Sequence, residues 1–433
     1  MAASLSEPLQ LSAEEDSILD GGRGPGAAAA MRLVVRLAEA MGADRLRPIT
    51  GAHIDSCLYH GQSGLDFVNI LVEGGAQVCV PTTLNVSSLD LLHPELFLGD
   101  DSTRTSAKAL MDAYVALGCE PTWTCAPYQR TQRPQFGEHI AWAESNAIVF
   151  ANSVLGARTH RYGDFIDIAA AITGRVPDAG LHRDNARQAT MVIDVGKLPD
   201  RLLGTDAAYP VIGFVIGRLC RSAVPAIVGL PPETSEDNLK ALGAAAASSG
   251  SLAMFHAVGL TPEATTLAEA CGGAVSNERH VMTHEEVTTA RDVLSTATGT
   301  DMADDLTTIS LGTPHYSVAE IGSLHAALAG RQIHPSIDFY VSTGREMLAE
   351  ADLRGWVVPL TKAGVTFVTD TCTYITPIIR NKSGVAMTDS AKWAYYAPGN
   401  IGVHAIFGSL GECVESAVAG TIVRDPGLWT DVS

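Results

Sequence analysis

From residue 48 onward the chain repeats one pattern, a short run rich in β-branched or aromatic residues followed by a longer stretch with apolar residues at helical spacing. Runs at 49–54, 77–81, 122–125, 190–195, 226–230, 307–311, 337–341 and 365–369 read as strands. Stretches at 65–72, 107–117, 140–155, 211–219, 237–247, 318–329 and 345–351 read as helices. Strands with helices between them cannot close as tight hairpins, so they pair through crossovers and are covered by the helices they alternate with. The expectation is an α/β protein with parallel or mixed sheets flanked by helices. No internal repeat of fixed period and no low-complexity linker is present.

Local signals place several ends. Ser12 to Glu15 has the form of a capping box, and an Ala-rich amphipathic helix is expected over 27–41. Between them Gly22-x-Gly24-x-x-Ala27 imitates a dinucleotide fingerprint, but it follows a helix where that fingerprint needs a strand, so it reads as a turn. Thr261-Pro262-Glu263 reads as a cap with proline at the first helical position, opening a helix to residue 270.

With 433 residues, 46% of them apolar, the chain can bury a large core and is expected to divide into two or three domains. Its 48 acidic residues outnumber 29 basic ones, giving −19, and no basic run interrupts the excess, so a phosphate-backbone partner is disfavoured. The opening MAASLSEPLQLSAEEDS carries acids where a secretory leader needs a basic flank, and Arg218 and Arg221 interrupt the longest apolar region. A cytoplasmic chain without membrane spans is expected, and eight scattered cysteines suit a reducing compartment.

The densest chemistry lies at 51–64, GAHIDSCLYHGQSG, where Cys57 stands among polar side chains. Cys125 in TWTCAPY and Cys372 in TDTCTY likewise follow short β-favouring runs, where backbone can aim a thiolate at a soft metal. Their spacing matches no compact ligand motif, and a lone cysteine is often a packing residue, so both readings stand. Cys79, Cys119, Cys220, Cys271 and Cys413 sit in apolar settings and read as packing. His53, Cys57 and His60 offer a zinc alternative, although on an extended segment His60 faces away from the other two. Glu144 and Ser145 interrupt an otherwise apolar helix, and Asn85 follows a strand where its amide can orient a ligand or serve a turn. His53, His60 and His315 are proton carriers or hydrogen-bonded structural residues.

HIDSCLYHGQSG, VPTTLNVSSLD, TWTCAPYQ, GEHIAWAESNA, LGTPHYS, TDTC and MTDSAKWAYYAPG, in this order between about residues 8 and 421, together resemble the aconitase X family. The resemblance implies an aconitase-like multidomain fold and an iron–sulfur cluster held by Cys57, Cys125 and Cys372. The family's archaeal branch carries a cysteine in a GCPH segment and a small apolar residue at the position of Cys57. Here that segment reads Gly312-Thr313-Pro314-His315, which places the chain with the bacterial branch. That implies a cis-3-hydroxy-L-proline dehydratase with a 2Fe–2S type of cluster, 3Fe–4S and 4Fe–4S remaining open. Elimination of water from such an acid needs a base for the α-hydrogen and a Lewis acid or proton donor for the hydroxyl.

Lys392, Glu144 and Ser145 are then the catalytic set, with Ser56, Gln62, Ser63 and Asn85 joining them around the substrate. No serine-rich loop of the kind that supplies the base in aconitases is found, so a small swivelling-domain subunit is expected as partner in a heterodimer. The cluster-bearing part is expected at 1–188 and 352–433, with a further α/β domain at 189–351. The alternatives are a dehydratase of another hydroxy acid, 5-phosphomevalonate included, and a non-catalytic iron–sulfur subunit.

Overall fold

Strands of two to four residues bury too little to persist alone and hold only inside a sheet covered by helices. The computed structural model, which describes residues 8–274, 278–297 and 305–430, is assembled mostly from such strands, Leu306–Tyr316 and Asp338–Thr343 being longer. In the first sheet Ala52–Ile54 lies between Thr82–Leu84 and Ala141–Trp142, all parallel. In the second, His256–Ala257, Pro225–Val228, Met191–Asp194 and Arg279–Val281 run parallel in that order. The third orders Val365–Val368, Asp338–Thr343, Leu306–Tyr316, Val385–Thr388 and His404–Phe407, again all parallel. Among the described residues the one antiparallel strand pair joins Leu46–Pro48 to Arg175–Pro177. The expected α/β architecture is therefore the observed one.

Helices cover these sheets with apolar faces. Pro25–Ala40 buries Met31, Val34 and Ala38, and Ala208–Cys220 buries Val211, Ile212 and Ile216. Ala208–Cys220 packs so closely on Glu236–Ser249 that a Cβ on Gly213 would lie 2.1 Å from the Leu242 carbonyl oxygen. Gly213 is thus a contact point between backbones, and alanine there would force the helices apart at roughly 1–3 kcal/mol. No helix among the described residues is long and apolar enough to cross a membrane.

Several boundaries differ from expectation. The strand expected at 77–81 forms instead at Thr82–Leu84, after Pro81, and 122–125 has no strand pairing. The helix expected over 140–155 is broken into the strand Ala141–Trp142, the helix Ser145–Phe150 and a π-helical turn Ala151–Leu155. The helix expected from Thr261 starts later, at Leu267–Ala270, because Thr266 and Glu269 form the reciprocal capping box. Pro25 occupies the first turn of its helix after Gly24, so the glycine-rich segment is a turn, as its context required.

Parallel strands end together, and ligands of such sheets gather beyond their carboxyl ends. Asp55 follows Ile54, Asn85 follows Leu84, and Glu144 comes two residues after Trp142. From the third sheet Cys372 follows Val365–Val368, and Lys392 follows Val385–Thr388. Residues hundreds of positions apart are thereby delivered to one place.

Candidate active site

These carboxyl-end residues surround a cavity of about 640 Å³, with Asp55, Asn85, Cys125, Glu144, Ser145 and Lys392 on its walls and Tyr374 and Tyr396 closing one side. Behind Cys125, one ligand atom from each of Cys125, His315 and Cys372 lies within 4.8 Å of the others, all three residues being buried. The His315 backbone N–H donates to the Cys125 sulfur at 3.3 Å. The His315 ring is fixed by the Thr124 hydroxyl at 3.1 Å and the Thr371 carbonyl at 3.1 Å. Burial alone would push the Cys125 thiol up. A hydrogen bond from Cys372 and the charges of His315 and Lys392 outweigh it and hold Cys125 at about 6. Its partner Cys372 is held well above the usual thiol range, first by that same hydrogen bond and then by burial. The pair is thus split, with Cys125 drawn toward the thiolate, the form in which cysteine binds metals.

Facing the sulfurs is a buried ion pair, Lys392 Nζ to Glu144 Oε1 at 2.5 Å. Glu144 caps the helix Ser145–Phe150, accepting from the Ala147 N–H at 2.9 Å through Oε2, which also accepts from the Asn146 amide. Its other oxygen takes the Ser145 hydroxyl at 3.2 Å as well as Lys392. With both oxygens doubly occupied, this carboxylate holds Lys392 in place. Burial would lower the Lys392 ammonium, yet the Glu144 charge outweighs that and keeps it well above the ordinary lysine range. Across the cavity Asp55 accepts from the Asn85 side-chain amide. Burial and the charge of Glu144 push Asp55 up to about 8, so its neutral form prevails at pH 7.

The structure therefore brings together Asn85, Cys125, Glu144, Ser145, Cys372 and Lys392. Cys57 is buried one layer behind the wall, its thiol pointing to the carbonyls of Ile54 at 3.4 Å, Asn85 at 3.5 Å and Val86 at 3.8 Å. It is outside the group of three metal-capable side chains, although Asn85 and Val86, which it touches, line the cavity. Ser56 turns inward to Asp167 at 2.9 Å and is not on the wall. Gln62 and Ser63 are exposed in the first turn of Gln62–Glu73, where Gln62 bonds Asp66, and neither reaches the cavity. The zinc alternative is not assembled, because His53 binds Thr83 at 2.8 Å while Cys57 faces carbonyls. Burial pushes His53 down to about 3, so it is a neutral structural imidazole. His60 is on the cavity wall.

Sequence reasoning missed Asp55 and Asp167 and gave His315 no partner. Asp55 carried a signal, sitting beside Cys57 in the densest polar segment. His315 had none, because its thiol neighbours are 190 and 57 positions away in the chain.

Three family models cover the chain, described as Aconitase X first domain over 8–185, second domain over 189–292 and third domain over 306–419. A cis-3-hydroxy-L-proline dehydratase of Pseudomonas aeruginosa is 42% identical over 423 residues, which is 97% of this chain and 72% of that protein. A protein of the same name from Hypocrea jecorina is 40% identical over 95% of this chain and 69% of its own length. The phosphomevalonate dehydratase large subunit of Thermococcus kodakarensis is 35% identical over 90% of this chain and 95% of that subunit. Among solved structures, the holo-form of Thermococcus kodakaraensis aconitase X superposes with a TM-score of 0.85 at 33% identity, covering 94% of this chain and all of that one.

Proposed function

The chain belongs to the aconitase X family, and from that premise we propose that it is a hydro-lyase that dehydrates cis-3-hydroxy-L-proline to 1-pyrroline-2-carboxylate. The observation that carries the reading is the Lys392–Glu144 pair facing two buried thiols across one cavity. Loss of the α-proton and the 3-hydroxyl, leaving as water, gives the ring enamine, which tautomerises to the imine. Lys392 binds the substrate carboxylate by a charge-assisted bond, with the Ser145 hydroxyl beside it at 3.4 Å. Glu144 keeps Lys392 charged and aimed, and Asn85 and Asp55 border the ring.

An iron–sulfur cluster fits the donor set: Cys125 on the cavity wall has a second buried thiol, Cys372, and the His315 ring beside it, and its neighbours draw it toward the thiolate. Cys125 and Cys372 would hold it, a 2Fe–2S type being favoured over 3Fe–4S and 4Fe–4S; Cys57, expected as a third ligand, faces the carbonyls of Ile54, Asn85 and Val86 and would join them only by turning its thiol. When bound, it would supply a Lewis acid for the departing hydroxyl. The α-proton is taken by a base from a small swivelling-domain subunit, the partner of this chain. Several relatives are named large subunits, which supports a partner of that kind.

A phosphorylated substrate suits this cavity less well. Among the described residues lining it, Lys392 is the single lysine or arginine, against the carboxyl groups of Asp55 and Glu144. A phosphate monoester brings up to two negative charges and would lack a cationic cradle. The test is an anaerobic assay of the chain with its small partner on cis-3-hydroxy-L-proline, its trans isomer and 5-phosphomevalonate. Turnover of the cis acid alone supports the reading, and turnover of phosphomevalonate alone rejects it.

A further inference from the structure

Asp167 is absent from the cavity wall, yet the loop it binds leads there. It is the second residue of the helix Ile166–Thr173 and has no exposed surface. Among the described residues no cation pairs with it, an arrangement that costs a carboxylate several kcal/mol unless hydrogen bonds replace the lost water. Besides the N–H of Ile168 in its own helix, at 2.7 Å, the replacement comes from one short loop. Asp167 accepts from the backbone N–H of Asp55 at 2.8 Å, from that of Ser56 at 3.0 Å and from the Ser56 hydroxyl at 2.9 Å. Tyr114, from the helix Asp101–Ala116, donates to the same hydroxyl at 2.7 Å.

The loop held in this way supplies Asp55, Leu58 and His60 to the cavity wall. Its next residues have fewer and simpler ties, Ser87 to the Cys57 carbonyl at 3.0 Å and the Tyr59 N–H to Ser88 at 3.0 Å. A buried amide or apolar side chain could fill the volume of Asp167. Only an acceptor with two oxygens can take two successive N–H groups and a hydroxyl together, and so fix where the strand Ala52–Ile54 releases Asp55. We propose that Asp167 is a positioning residue of the dehydration site, acting through Ser56 and two backbone amides to set Asp55 against Asn85. Ser56 is thereby an anchor of the loop and not a contact of the substrate. The inference rests on the dehydratase reading above.

The test compares Asp167→Asn and Ser56→Ala with the native chain, each paired with its small subunit, using cis-3-hydroxy-L-proline. A misplacement on the order of 1 Å is expected to lower kcat about 100-fold in Asp167→Asn and about tenfold in Ser56→Ala, with KM changed less than about threefold. Exchange of the Asp55 and Ser56 amides should accelerate in both. A folded Asp167→Asn variant with native kcat, or a Ser56→Ala variant whose loss lies in KM, overturns the proposal. Should Asp167→Asn fail to fold, Ser56→Ala decides, native kcat being the contrary result. Should the native pair turn over none of the hydroxy acids, the dehydratase reading fails separately, and unchanged amide exchange at 55–56 would then overturn the positioning role.

Discussion

Two buried lysines in this molecule each meet a glutamate, and their surroundings give the two pairs different work. Lys392 pairs with Glu144 beside the thiols of Cys125 and Cys372, with one face open to the 640 Å³ cavity. Lys240 is wedged between Asp237 at 2.9 Å and Glu320, on the wall of a second cavity of about 250 Å³ that also includes Asp206 and Asp389. Glu320 is itself the capping-box residue of the helix Val318–Leu328, and Asp237 lies in the first turn of Glu236–Ser249. The second pair thus ties helix starts together, with its carboxylates already engaged by caps and by Lys240. The first couples one helix cap to an ammonium that still has a donor to offer. Burial, pairing and a neighbouring cavity are shared, Lys392 lining both cavities, so none of these identifies a site; the sulfurs do.

The sharpest way to break this comparison is to remove each ammonium in turn. Lys392→Met should lower kcat/KM on cis-3-hydroxy-L-proline about 1,000-fold, as loss of a charge-assisted contact in a dry site implies. Equal activity in a folded variant would remove the site from Lys392. Glu144→Gln keeps the shape and loses the charge, and a fall of about 100-fold is expected, with partial rescue as pH is lowered, because burial of Lys392 is then no longer offset by the Glu144 charge. Lys240→Met should instead cost about 3–5 kcal/mol of stability, the penalty for unpairing buried charge, while kcat stays within about threefold of native. Denaturant melts and kinetics on the same sample separate the two lysines, and a large kcat loss in folded Lys240→Met would merge them.

The smallest effect concerns pH. Burial pushes the Glu320 carboxyl up to about 8, although the Lys240 ammonium pulls it down. The folded chain therefore binds more protons than the unfolded one between the ordinary 4.5 and about 8. Stability from this group is present below that window and is lost as pH rises through it. In Glu320→Gln the slope disappears, so the melting temperature of the variant relative to native should improve between about pH 5 and pH 8.5. A difference that stays constant or moves the other way contradicts the assignment.

What the sequence made legible follows from distance along the chain. Alternation of β-favouring and helical runs was enough for the α/β class, because each run carries its own periodicity. Cys125, Cys372, Lys392, Glu144 and Asn85 were found through a resemblance spread over seven segments, and the structure gathers them at the carboxyl ends of two parallel sheets. Pairing order was not legible: Leu306–Tyr316 lies between strands that come later in the chain, and nothing local to His315 announces Cys125. Ser56, Gln62 and Ser63 looked alike as polar neighbours of Cys57, yet one points into the core and two start an exposed helix. Side-chain direction after a strand of three residues depends on what the next loop binds, here Asp167, 111 positions away from Ser56.

The central claim is that Cys125 and Cys372 hold an iron–sulfur cluster against Lys392. It is tested most directly by iron and acid-labile sulfide content after anaerobic purification of the native chain, Cys125→Ser and Cys372→Ser. Iron and sulfide in the native protein, with both lost in each variant, is the result expected. Retention of both in either folded variant would contradict the account.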